Sequence, residues 1–196
     1  LIISILLAFL VLKNFNQNVL INTILISSAL YLFFITLRDF FVKKYKNISQ
    51  NIAHFGFSLL ILSILFNNLF ATEIITNLKV GETFENSKTK IVFESVDQKK
   101  EQNYNAIIAN FFISNQNGEE DRFSPELRIY NQPVIATSEA DIKTTLMSDK
   151  FIVINLVQNQ DFFNVRYQVK PFMLWIWLSV ILLSLGGIVS FLQKRS

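Results

Sequence analysis

The stretch IAHFGFSLLILSILFNNLF, residues 52–70, decides the class of this protein because it contains no Asp, Glu, Lys or Arg. A helix needs about 20 apolar residues to cross the hydrocarbon core of a bilayer. Two further stretches, Val19–Leu37 and Phe172–Leu192, reach a similar length without an acidic or basic residue. Buried helices of soluble proteins rarely stay uncharged over such a length, so the sequence predicts three transmembrane helices.

The first residues, Leu1–Leu12, are also apolar but too short to cross a membrane as a helix. They lack the basic n-region of a signal peptide, and a second apolar run follows at once. We expect residues 1–12 to be the end of a truncated membrane helix. The sequence is then a C-terminal piece of a longer protein.

The basic residues predict which way the helices run. Residues 38–51 carry four basic side chains against the single acid Asp39, and the tail 193–196 carries two more basic residues. Short basic segments stay in the cytoplasm, and two predicted helices separate these two. Residues 71–170 are therefore expected outside, in the periplasm of a bacterium or the intermembrane space of a mitochondrion, and residues 13–18 form a short outer turn.

The segment 71–170 mixes both signs of charge, and its apolar runs are short and rich in Ile, Val and Phe. Asn117–Gly118 is a strong hairpin signal because both residues tolerate positive φ. The pattern predicts about five to seven antiparallel strands in a small sandwich or barrel. The fold class is an integral membrane α-helical protein with one extramembrane all-β domain. The runs predicted as strands are Lys90–Val96, Tyr104–Ser114, Leu127–Tyr130, Phe151–Val157 and Phe162–Val169.

One part of this domain lacks a strand pattern. Residues 125–142 hold two prolines and charges of both signs, which predicts a long surface loop. Loops of this length on a compact domain are often functional. The segment contains no pattern of a catalytic triad, a phosphate loop or paired glycosidase carboxylates, and we identify no catalytic residue.

The composition excludes several kinds of site. The chain has no Cys, which excludes disulfides, thiolate catalysis and zinc–thiolate centres. It has one His, His54, so a metal site built from several histidines cannot form within this chain. We expect the membrane, and no nucleic acid, as a partner.

His54 is the strongest candidate for a functional residue. It lies roughly 3–5 Å inside the predicted span at about 1.5 Å of rise per residue, and an ionisable residue there suggests function. Asn51 and Ser58 share its helix face, a polar stripe that is expected to point into a bundle. Gly56 leaves room for another helix or a flat ligand. Two interpretations stay open, a metal or haem ligand or proton relay, and a histidine that only hydrogen-bonds a neighbouring helix or water.

The last predicted helix carries two further signals. Trp175 and Trp177 stand at its outer end, where aromatic residues form an interfacial belt. Gly186 and Gly187 are expected to allow close packing against another helix.

The order of motifs resembles a known family. It runs from AHFGFSLLILSI (53–64) through PELRIY (125–130) and DKFIVI (149–154) to VRYQVKPFMLWIWLSVILLSLGG (165–187). Together these are similar to the C-terminal part of cytochrome c maturation protein F, the haem lyase subunit of the system I pathway. The family usually reads T-E-A after the tyrosine segment, where this chain has Ser138 inserted.

This resemblance implies a function. The family joins haem to the cysteines of apocytochrome c in the bacterial, or mitochondrial, inner membrane. A haem chaperone delivers the haem and another subunit presents the apocytochrome. The family also holds a b-type haem (haem b) between two histidines on different helices. His54 stands where one axial ligand to the haem iron is expected, so the second must come from the missing N-terminal part. That part also binds the substrate haem, so this piece is not expected to be catalytically complete.

Two other functions remain as alternatives. In the first, the chain is a non-catalytic membrane scaffold whose outer β-domain docks a partner protein. In the second, it is a transporter fragment in which His54 relays protons. Transporters favour helices broken by Gly or Pro, and residues 52–70 contain no Pro. Haem absorbance of the full-length protein distinguishes the haem lyase subunit from both alternatives.

Overall fold

The computed structural model describes residues 1–12, 19–42, 48–116, 118–157 and 161–193. The chain separates into two compact units, residues 1–70 together with 171–196, and residues 71–170. The predicted outer turn at 13–18, most of the basic residues expected to set the orientation, and Asn117 lie outside the described residues.

The described residues of the first unit form four helices, and three of them, α2, α3 and α4, are long and apolar enough to cross a membrane. Their apolar side chains point outward over most of their length. The helices are α1 (Ile2–Leu12), α2 (Val19–Val42), α3 (Ile48–Phe70) and α4 (Met173–Gln193).

Two of these helices run past their predicted ends. α2 continues beyond Leu37 to Val42, and α3 begins at Ile48 rather than Ile52. The interpretation of all of residues 38–51 as a loop is therefore wrong at both ends. A helix ends where its backbone hydrogen bonds end, and polar side chains such as Arg38 do not interrupt that ladder.

The second unit is a two-layer β-sandwich, which confirms the predicted fold class. Its described residues form ten strands, so the prediction of about five to seven was too low. The missed strands are short or carry charges. The strands are β1 (Thr72–Leu78), β2 (Thr83–Glu85), β3 (Thr89–Lys100), β4 (Tyr104–Asn115), β5 (Glu120–Phe123), β6 (Glu126–Asn131), β7 (Val134–Glu139), β8 (Asp141–Thr144), β9 (Ser148–Leu156) and β10 (Phe163–Pro171).

The strands divide between two sheets. One has the order β1-β10-β9-β8, and the other β2-β3-β4-β6-β7, with β5 also pairing with β4. The described pairings are antiparallel. β7 and β8 follow each other along the chain but lie in different sheets, so the chain changes layer next to Ala140.

The core lies between the sheets and is rich in phenylalanine. Alternate residues of β4 face inward, and Ala109, Phe111 and Ile113 are buried. The ring of Phe111 stacks on Phe93 of β3 with centroids 4.5 Å apart. The ring of Phe163 in β10 meets Phe93 edge-on at 5.5 Å, so the two sheets share one aromatic core.

The segment 125–142 is not the long loop that the sequence predicted, because it forms β6, β7 and the start of β8. Its prolines stand outside the strands, where a missing N–H costs no ladder bond. Pro125 precedes β6, and Pro133 occupies the β6–β7 turn after a cis peptide bond from Gln132.

The predicted hairpin near Gly118 is present, since β4 and β5 pair antiparallel on either side of it. Gly118 has a φ of 77° and donates its N–H to the carbonyl of Asn115 at 3.0 Å. A residue with a Cβ rarely adopts this φ, so the turn requires its glycine.

Candidate functional site

The described residues in the N-terminal half of α3 point in different directions. Gly56 and Ser58 are buried, whereas His54 is exposed. His54 therefore does not pack against the described helices, and its orientation into a larger bundle stays a prediction. The polar stripe of Asn51, His54 and Ser58 lies at the edge of the surface between α2 and α3. A shift by one residue position around the helix axis therefore decides whether a side chain is covered.

Ser58 is covered because it pairs with α2. Its hydroxyl lies 2.8 Å from the hydroxyl of Thr36, and one of the two donates to the other. The accepting hydroxyl donates its own proton to a carbonyl of its own helix, that of Leu32 for Thr36 or of Phe55 for Ser58. Each polar group is thereby satisfied inside a helix pair that exposes apolar side chains around it. This bond fixes α2 against α3 one turn away from His54.

Small residues bring α3 and α4 close together. A Cβ on Gly56 would stand 3.0 Å from both the Cβ of Leu182 and the backbone nitrogen of Leu183. A Cβ on Gly186 would lie 2.8 Å from the backbone nitrogen of Ala53. The expected close contact is thus present at Gly186, whereas a Cβ on Gly187 would meet nothing within 4 Å among the described residues.

Three phenylalanine rings join α2 to α3 beside His54. The ring of Phe55 lies 5.6 Å from that of Phe33 and 6.2 Å from that of Phe40. Aromatic contact, small residues and the hydroxyl pair thus hold α3 to its neighbours, and His54 takes no part in them. Its exposed imidazole is available to a ligand approaching from outside the described helices, which fits a residue that gives one ring nitrogen to haem iron.

The β-unit offers no comparable ligand set. The described residues contain no group of three or more His, Cys, Asp or Glu placed to hold a metal ion. Trp177, near the start of α4, is exposed, as an interfacial residue would be.

A charge network centred on the buried Lys150 connects the two sheets of the β-unit. The ammonium of Lys150 in β9, a residue only 8% exposed, lies 2.7 Å from Glu119 and 2.9 Å from Asp121. The second oxygen of Asp121 accepts from Lys143 of β8 at 3.3 Å. Lysines of one sheet thus bind carboxylates at the β4–β5 hairpin of the other.

The network shifts the pKa values of its members. Burial alone would raise the pKa of Asp121, but hydrogen bonds and charge from Lys150 and Lys143 hold it below its ordinary value. Burial alone would lower the pKa of Lys150, but its two carboxylate partners raise it. Burial raises the pKa of the nearby Tyr167 to about 12, and its hydroxyl has no partner among the described residues.

Sequence reasoning did not find this network, although a signal for it exists. In β9, the alternate residues Lys150, Ile152 and Ile154 are all buried on one face. A lysine in phase with two core isoleucines predicts a buried charge that needs a partner. What the sequence alone does not supply is the identity of that partner, because Glu119 and Asp121 come from a different sheet.

A family model described as the CcmF C-terminal beta-sandwich matches residues 69–171, more than half of the chain. Cytochrome c-type biogenesis protein CcmF of Haemophilus influenzae is 26% identical over 144 residues, 74% of this chain and 22% of that protein. Protein ccl1 of Rhodobacter capsulatus, also titled a cytochrome c-type biogenesis protein, is 30% identical over 143 residues, 73% of this chain and 22% of its own length.

The chain thus spans about a fifth of the length of these curated relatives. A solved structure titled Cytochrome c Heme Lyase CcmF is similar in fold, with a TM-score of 0.66 and 17% identity. That match covers 95% of this chain and 33% of the other. The matched β-sandwich and the order of its flanking helices agree with the described fold, and the chain belongs to the CcmF C-terminal beta-sandwich family.

Proposed function

We propose that this chain is the C-terminal membrane and outer part of a cytochrome c haem lyase subunit of the system I pathway, and that it takes part in attaching haem covalently to apocytochrome c. Family membership carries the proposal, because the curated relatives are titled cytochrome c-type biogenesis proteins. The haem-attaching chemistry itself requires a substrate-haem site, which we expect in another part of the full-length subunit.

His54 has a defined role in this proposal, as an axial ligand of a b-type haem within the membrane. Support comes from its position on a helix able to span the membrane and from its exposure close to the buried Gly56 and Ser58. A neutral imidazole gives one ring nitrogen to iron, and the opposite ligand is a histidine outside this chain. The bound haem supplies one-electron redox chemistry, which we expect to keep the substrate haem reduced.

The contacts of α3 indicate that His54 does not help to hold this helix against its neighbours. Thr36 and Ser58 fix α2 against α3, and the missing side chain of Gly56 allows α4 to pack closely. Removing the imidazole should therefore leave the helix packing intact. This is what makes a spectroscopic test of the ligand interpretable.

The test is His54→Ala in the full-length protein, with Asn51→Ala, one turn earlier on the same helix, as the matched control. We expect His54→Ala to abolish or severely weaken the reduced-minus-oxidised spectrum of the b-type haem while the protein still inserts. Asn51→Ala should keep the spectrum. His54→Met should recover part of it at a higher potential, because Met is a competent axial ligand. An unchanged spectrum in His54→Ala ends the ligand hypothesis.

The proposal also assigns a side of the membrane to the β-unit. It should lie on the periplasmic or intermembrane side, where the haem chaperone, the apocytochrome-presenting subunit and the apocytochrome meet it. The chain has no Cys, so single cysteines at the exposed positions Ser87 and Gln50 report cleanly. An impermeant maleimide should label Ser87→Cys from outside and leave Gln50→Cys unlabelled, and the opposite pattern would reverse the topology.

A further inference from the structure

The strand β7 is an unusual edge of the larger sheet. In the described pairings it bonds to β6 on one side and ends the sheet on the other. Val134 and Ile135 project to opposite faces of this strand, yet they are 83% and 50% exposed, and Ala136 is exposed as well. Both faces and the outer main-chain edge of residues 134–136 are therefore open together.

The other described edge strands carry charges. The short strands β2, β5 and β8 contain Glu85, Asp121 and Lys143, respectively. β1 is longer, but its Ile74 packs against the core and its Glu73 bonds to Arg166 and Gln168 of β10. Proteins shield edges by shortness and charge, whereas β7 has no charged residue before Glu139.

We infer that β7 accepts an extended polypeptide segment as an additional strand. Unpaired N–H and C=O groups along an edge complement the main chain of an extended peptide, and pockets beside the edge take its alternate side chains. A flat partner laid on one face would cover either Val134 or Ile135. A strand added at the edge covers both, and the absence of charge over residues 134–138 favours an uncharged, partly apolar segment.

The length of the free edge restricts the partner further. Towards its end, β7 approaches β9, where the hydroxyl of Ser138 donates to the side chain of Asn155 at 2.6 Å. The open part is therefore about residues 134–137, enough for one short ladder. A folded protein rarely leaves a matching edge free, so the partner is a polypeptide segment without a stable fold. The identification of that polypeptide as an apocytochrome rests on the proposed function, whereas the exposure of the edge does not depend on it.

The first experiment measures binding to the full chain in lipid nanodiscs. The probes are reduced, unfolded apocytochrome c and the same cytochrome folded around its haem. We expect the apo form to bind and the folded form not to bind. Val134→Lys/Ile135→Lys should weaken binding at least about tenfold, because lysines on both faces protect an edge. The matched control is Ile75→Lys/Ile142→Lys, which changes two exposed isoleucines on other edges and should bind as the wild type does.

The second experiment identifies the contact without any variant. Amide hydrogen exchange with and without apocytochrome c should show alternate protection along residues 134–137, because only every second amide of a strand faces the added chain. The inference is overturned if apocytochrome c does not bind, or if it binds empty nanodiscs equally well. It is also overturned if protection appears elsewhere on the β-unit, or if the lysine variant loses a homodimer that the wild-type chain forms. The haem spectrum of His54→Ala is an independent readout, so failure of the proposed function and failure of this docking edge are distinguishable.

Discussion

The helical unit and the β-unit bury opposite kinds of residue. The helices α3 and α4 cover Gly56, Ser58 and Gly186 and leave most of their Leu, Ile and Phe outside. The sandwich covers Phe93 and Phe111 and exposes its charges. Lipid is as apolar as leucine, so helices gain nothing from hiding leucine and associate through close contact and hydrogen bonds, whereas the sandwich depends on removing apolar surface from water.

This difference predicts how large the effects of mutations should be in each unit. Truncating one core side chain of the sandwich removes buried area and leaves a cavity. Removing one contact between membrane helices removes only a fraction of that energy. Amide exchange of the full chain in nanodiscs reads both units in one sample, since each set of amides reports its own opening free energy.

The largest effect is expected for Phe111→Ala. Phe111 is fully buried and stacks on Phe93 at 4.5 Å, so its loss should cost the sandwich about 3–5 kcal/mol. Exchange of the β3 and β4 amides should accelerate accordingly, while α3 keeps its protection. Phe112→Ala, its half-buried neighbour on the opposite face, serves as the control and should cost clearly less. Equal losses in the two variants would contradict the assignment of the core.

Lys150→Met should rank second. The methionine keeps most of the apolar stem but leaves Asp121 paired with Lys143 alone. Removing one partner of a buried ion pair destabilises the folded state by about 3 kcal/mol at the low end of the usual range, and we expect a loss of that size here. The control is Lys99→Met, because Lys99 pairs with Glu101 at 2.7 Å on the open surface and should show no measurable change. A neutral outcome for Lys150→Met would show that the two sheets do not depend on this bridge.

The same network predicts how stability depends on pH. The lowered pKa values of Asp121 and Glu119 stabilise the folded state above their unfolded values of about 4, and this contribution is lost as pH falls through the folded values. The raised pKa of Tyr167, about 12, acts in the opposite direction and is lost as pH rises from about 10 to 12. Opening free energies of β4 and β9 should therefore be level near neutrality and decline at both ends. Lys150→Met should make the acid decline smaller, because the folded pKa values of Asp121 and Glu119 then lie closer to their unfolded values.

In the helical unit, Gly186→Ala should have the largest effect. The added methyl would stand 2.8 Å from the backbone of Ala53, and overpacking of this kind costs about 1–3 kcal/mol. Gly187→Ala is the matched control, one residue away with nothing within 4 Å of its added Cβ. Only Gly186→Ala should loosen α3 from α4, detected as faster exchange or a change in the distance between spin labels on the two helices. The same response in both variants would contradict the contact.

The sequence predicted the helices and the class of the sandwich because each depends on local pattern. Length and the absence of charge identify residues 52–70, and alternation identifies β4 and β9. β7 was missed because the sequence VIATSE has no strong alternation and follows Pro133. Its strand conformation comes from pairing with β6, a contact that no local pattern contains.

The sequence names His54 as the candidate residue, but it does not show which helix faces surround it. His54 stood out as the single histidine within a predicted span. Whether it faces a neighbour depends on which side of α3 meets α2, and that is set by Ser58, Gly56 and Phe55 acting together. The sequence marks each of these residues as small, polar or aromatic, but not the helix that each one contacts.

The smallest effect, and the most direct test of how α2 and α3 are joined, is expected for Thr36→Val. Valine has nearly the shape of threonine, so the variant removes the 2.8 Å bond to Ser58 without opening a cavity. Ser58 keeps its bond to the carbonyl of Phe55, and interhelical hydrogen bonds in membranes contribute about 0.6 kcal/mol on average. Exchange of the α2 and α3 amides should rise by no more than a few fold. Ser28→Ala is the control, since its exposed hydroxyl bonds within α2. A loss as large as that of Gly186→Ala would mean that polar pairing, and not small-residue contact, dominates this unit, and the comparison between the two units would have to be redrawn.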